Sequence, residues 1–155
     1  GRVLGSMSRL VLRAKLTEAL PQAEAWASEG ASKDPDWMVA EILALVCAAR
    51  GNWAEAFEAC RPVLDAAADF KPAQENATDF LIQAAAAGYA QEAIETLTAS
   101  KGAGALEPLI VGLRIYLGET PQVAKEIVEI GQDVAERIRE VARAQKRSSQ
   151  TEAVE

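Results

Sequence analysis

The chain contains no histidine at all, which removes the commonest general base and the commonest metal ligand and leaves only carboxylate, amine and thiol chemistry. Its two cysteines, Cys47 and Cys60, lack the paired spacings of disulfide frameworks or zinc sites, and each falls inside an apolar helical pattern. They read as buried, inert thiols in a reducing compartment, the cytoplasm. Aromatic residues make up only 5% of the chain, too few for the core of a β-sandwich. Basic charge is also short: the formal net charge is −7, so the surrounding field repels phosphate backbones and anionic lipid alike. Neither nucleic acid nor membrane is expected as a partner. No apolar run approaches the roughly 18 residues of a membrane span, and the opening stretch has no signal-peptide pattern. Residues 1–7 are set aside as an extension outside the fold.

What the chain does have is alanine and helical periodicity. At 155 residues it is long enough to bury roughly two-thirds of the surface that its unfolded form exposes. Leu10, Val11, Ala14 and Leu16 recur at helical spacing up to Pro21, and a second helical stretch runs from Ala23 to Gly30. Val39, Ile42, Leu43, Val46 and Cys47 share one broad face of a helix from Trp37 to Arg50, and Trp53–Ala68 supplies its partner after a Gly51-Asn52 turn. Asp69–Gln74, with Pro72, reads as a break. Ala77–Ala87 and Ala90–Ser100 form the next pair around Gly88, and Leu106–Leu117 follows. Thr120 reads as the N-cap, and Pro121 as the first turn, of a last and longest helix running to Ala144. Residues 145–155 read as a flexible polar tail.

Glycine turns recur between these helices at Gly51, Gly88 and Gly118, 37 and 30 residues apart. Around them stand Ala40, Leu43, Ala44, Trp53 and Ala56 in residues 37–70, and Ala77, Phe80 and Ala93 in residues 74–100, with Ala23, Ala27, Gly30 and Pro35 as an earlier echo. In this spacing and in these small and apolar positions the chain resembles the tetratricopeptide-repeat family, whose period is about 34 residues. The resemblance implies an all-α fold: antiparallel helical hairpins stacked as a short solenoid over residues 8–144, closed by a long C-terminal capping helix.

In that family the first helices of successive repeats line a concave groove that receives a peptide or a helix. Carried over to this chain, the groove comprises Met38, Glu41, Leu45, Ala48 and Ala49, then Thr78, Ile82, Ala85 and Ala86, then Ile115 and Tyr116. It is mostly apolar. The Lys, Arg and Asn with which some family members grip a terminal carboxylate are missing at these positions, so the expected guest is an amphipathic helix or a hydrophobic strand. The same residues would equally serve to pack against the chain's own terminal helices or a second copy.

In the last helix Ile127, Ile130, Val134, Ile138 and Val141 form a stripe flanked by charge, which reads as a solenoid cap in its first half and a dimer seam at Ile138 and Val141. Arg137, Arg139, Arg143, Lys146 and Arg147 complement the negative end of the helix dipole, with a nucleic-acid arm as the rival reading. Acidic pairs such as Glu55 with Glu58 and Glu92 with Glu95 are spaced as solvent-facing residues, and no catalytic constellation, metal site or cofactor motif emerges. The expected function is therefore a protein-binding adaptor or scaffold, self-associating in one version. The alternatives are a small acidic chaperone of the kind that tetratricopeptide proteins provide in bacterial secretion systems, and a small-ligand or catalytic helical domain.

Overall fold

The structure, a computed structural model, describes residues 37–154; the helices read between Leu10 and Gly30, and the extension at residues 1–7, lie outside that range. Every described element is helical. In chain order these are α1 (Trp37–Ala49), α2 (Trp53–Ala66), α3 (Lys71–Ala84), a π-helical turn (Ala85–Tyr89), α4 (Ala90–Thr98), α5 (Glu107–Tyr116) and α6 (Lys125–Val154). The chain divides into two compact units between Ala77 and Thr78, within α3.

The first unit is built on the α1–α2 hairpin. Its core takes Ile42, Val46 and Cys47 from α1 and Phe57, Cys60 and Leu64 from α2, all buried. The turn between them closes in a Schellman pattern: the Asn52 N–H donates to the Cys47 carbonyl at 2.9 Å and the Gly51 N–H to the Ala48 carbonyl at 2.9 Å. Gly51 takes φ 81°, a conformation that costs other L-residues roughly 1–2 kcal/mol. The start of α3 completes the unit, where the Gln74 side-chain amide donates to the Ala67 carbonyl at 2.9 Å.

The second unit holds the rest of α3, the π-helical turn and α4 to α6. Gly88, at φ 104°, interrupts the helical path between α3 and α4. α5 ends as α1 does: the Glu119 N–H donates to the Arg114 carbonyl at 3.0 Å and the Gly118 N–H to the Ile115 carbonyl at 2.9 Å, with Gly118 at φ 91°. α5 then packs along α6 at two facing glycines. A Cβ built on Gly112 would stand 2.5 Å from Val134 Cγ1 and 2.6 Å from Val134 Cβ, and one built on Gly131 would stand 2.7 Å from Val111 Cγ1. The two backbones therefore approach more closely than any side chain between them would allow.

Three boundaries differ from the sequence expectation. Pro72 does not break the chain but lies in the first turn of α3, where its missing N–H is no loss, and the Gln74 N–H already closes a helical bond to the Phe70 carbonyl at 3.1 Å. Thr120 and Pro121 do not open α6; they belong to a bent connection, and the first helical bonds run to the Ala124 carbonyl from Ile127 and Val128. Ser, Thr and Pro signals serve a turn as well as a helix start. Finally, α6 continues past Ala144 to Val154, since nothing after Gly131 supplies the glycine or proline that would stop it.

Candidate interaction surfaces

α1 carries a single charged or polar side chain, Glu41, in thirteen residues. Val39, Ala40, Ile42, Ala44, Val46 and Cys47 are buried, and what the helix leaves toward solvent is largely apolar as well: Met38 and Ala49 exposed, Leu43, Leu45 and Ala48 half-buried. A helix that is apolar all round is normally covered on all sides. Glu41 interrupts this surface under restraint, because the Asn76 side-chain amide donates to its Oε2 at 2.9 Å from α3. The same carboxylate adds to the effect of burial on Cys60, whose thiol is pushed up to about 12 by desolvation first and by the nearby negative charge second. At the N-terminal end of α1, Trp37 meets Phe70 edge-on at 6.0 Å between ring centroids, and Phe70 is 51% exposed.

The groove residues expected from the sequence thus fall in two places. Met38, Glu41, Leu45, Ala48 and Ala49 lie together on the less buried side of α1 in the first unit. Of those in the second unit, Thr78, Ala86, Ile115 and Tyr116 are half-buried, whereas Ile82 is 1% exposed and Ala85 0%. Those last two are core residues and offer a partner no surface. Apolar periodicity marks them as inward-facing but carries no information on depth.

A similar sorting separates the residues of the α6 stripe. Ile138 is fully buried, so it belongs to the core and not to a seam, while Ile130 is 51% exposed. Ile127, Val134 and Val141 are half-buried. The exposed apolar surface lies toward the beginning of α6 and in the connection before it, where Leu117 and Val123 are also exposed. Three arginines of α6 are engaged in ion pairs. Arg137 pairs with Asp79 at 2.7 Å, and Glu136 accepts from Arg143 at 3.1 Å and from Arg139 at 3.2 Å. These two guanidinium groups, Arg143 foremost, hold the Glu136 carboxyl below its ordinary value.

Sequence reading missed Asn76, Phe70, Leu117 and Val123 as surface participants, and Gly112 and Gly131 as the α5–α6 crossing. A glycine inside a helical pattern was the available signal for the crossing. Among the described residues no group of three or more Cys, Asp or Glu side chains is placed to hold a metal ion, no buried side-chain polar atom lacks a hydrogen-bond partner, and no helix is long and apolar enough to cross a membrane. No family model, curated protein or solved structure matches the chain.

Proposed function

We propose that the protein is a binding module for another protein, receiving an amphipathic helix or a hydrophobic peptide, and that it performs no catalysis. The observation that carries this reading is the composition of α1: a helix with one polar side chain, whose less buried side presents Met38, Leu45 and Ala49 around a Glu41 held in place by Asn76. Apolar surface of this kind contributes about 25 cal/mol per Å² when a partner covers it, before the cost of association is counted.

The test is selection of helical peptides from a displayed library on the intact chain, followed by fluorescence anisotropy of the labelled winners. Leu45→Asp and Met38→Asp are expected to weaken capture at least tenfold, with the far-ultraviolet circular dichroism unchanged. Winners that bind both variants as well as they bind the unaltered chain remove α1 as the receiving surface and the proposal with it. Ile82→Asp is unsuited to this purpose, because a charge at a 1% exposed position breaks the core.

A further inference from the structure

Along α6 an apolar row and an acidic row run side by side. Glu126, Asp133 and Glu140 each stand one residue before Ile127, Val134 and Val141, and Glu129 stands one before Ile130, so at helical geometry the carboxylates border one edge of the apolar stripe. Ile130 is half exposed, and Val123 and Leu117 extend the apolar surface into the preceding connection. Those four carboxylates make no ion pair or side-chain hydrogen bond among the described residues, while Arg137, which stands one residue before Ile138 on the same edge, is held by Asp79, and Arg139 and Arg143 by Glu136. The helix therefore carries uncovered apolar area beside negative charge that its own fold leaves uncompensated.

From this juxtaposition we infer that the Ile127–Val141 edge of α6, with Val123 just before it, is a second docking surface, for a partner helix whose apolar stripe is bordered by lysine or arginine. Charge selects that occupant over the others. A second copy laid antiparallel would bring Glu126, Asp133 and Glu140 against their own counterparts, and one laid parallel would bring them against the Ala124, Gly131 and Ile138 side of its helix, where no cation stands. Anionic lipid and nucleic acid meet the same repulsion. A basic amphipathic helix instead covers Ile130 and supplies a counter-charge to each carboxylate, and the surface belongs to the second unit, whereas α1 belongs to the first.

The experiment uses the full chain and an 18-residue helical peptide of leucine and lysine, with its leucine–glutamate counterpart, read by fluorescence anisotropy across a salt series. The lysine peptide is expected to bind and to weaken about tenfold as salt rises from low to physiological strength, as screening of surface charge requires, and the glutamate peptide to show no binding. Ile130→Ser should weaken capture at least tenfold. The triple change Glu126→Gln, Asp133→Asn and Glu140→Gln should do the same and flatten the salt dependence, while a charge-matched control, Glu55→Gln, Glu75→Gln and Glu92→Gln, should leave binding intact. Equal binding of the two peptides, equal losses in the two triple variants, or insensitivity to Ile130→Ser would overturn the inference. So would a dimer seen by light scattering that Ile130→Ser dissolves, since a second copy would then be the occupant.

Discussion

The α1–α2 and α5–α6 hairpins begin alike and are held together differently. Both first helices end in the same pair of backbone hydrogen bonds around a left-handed glycine, Gly51 in one and Gly118 in the other. Beyond the turn they part. α2 begins at Trp53, directly after Asn52, and its hairpin is filled by branched and aromatic side chains such as Ile42, Phe57 and Leu64. α6 begins only at Lys125, and its hairpin is drawn together where Gly112 and Gly131 remove side chains altogether. A shared turn fixes how a helix ends, and the residues along the helices decide how closely the next one lies.

The sharpest break in that comparison is Gly112→Ala. The added methyl meets Val134 Cβ, which cannot swing aside as a flexible chain end would, and Gly131 O at 2.9 Å, so α5 and α6 must separate. Overpacking of this kind costs about 1–3 kcal/mol, against a helix-propensity gain of about 1 kcal/mol. Amide hydrogen exchange should quicken in α5 and α6 while α1 and α2 keep their protection. Equal quickening in both hairpins would show that the crossing is not a local constraint.

A smaller effect tests what the two hairpins share. A Cβ on Gly51 or Gly118 would meet nothing within 4 Å, so alanine at either position carries only the backbone cost of positive φ, about 1–2 kcal/mol in each case. Chemical denaturation of Gly51→Ala and Gly118→Ala should give matching losses. Unequal losses would mean that one turn depends on more than its glycine.

Near neutrality the smallest effect on stability comes from Cys60, yet it reports on one hairpin alone, because both cysteines of the chain lie in the first unit. Its thiol is raised from 9.0 to about 12. Below pH 9 it is protonated whether the chain is folded or unfolded and has no pH-dependent influence. Between pH 9 and 12 only the unfolded chain releases the proton, so stability falls as pH rises through that window. A disulfide exchange reagent at pH 8 should therefore modify Cys60 only as fast as the first unit opens, and Gly112→Ala should leave that rate unchanged. Immediate reaction in the folded chain would place the thiol nearer the surface.

How far these features could be read from the sequence follows from their range. The glycine turns were legible because a left-handed residue between two periodic runs is a local signal, and Gly51, Gly88 and Gly118 are the glycines at positive φ among the described residues. The Asn76–Glu41 bond joins residues 35 positions apart, and nothing local announces it. Ile82, Ile130 and Ile138 look equivalent in an apolar pattern, yet one is exposed and two are buried, because periodicity gives the face of a helix and not which edge of that face a neighbour covers. Gly112 and Gly131 signal only a propensity cost until the helix opposite is known.

The reach of α6 has a mechanical consequence. The helix is anchored through Gly131 and Ile138, and the side chains from Arg143 to Ser148 are all exposed, so this stretch acts as a stiff lever about 15 Å long beyond Ile138 at 1.5 Å per residue. A tilt of about 10° at the glycine pivot, about 25 Å from Ser148 at the same rise, carries the far end through more than about 4 Å. Small adjustments where two backbones touch are thereby magnified into displacements large enough for a spin label at Ser148 to register.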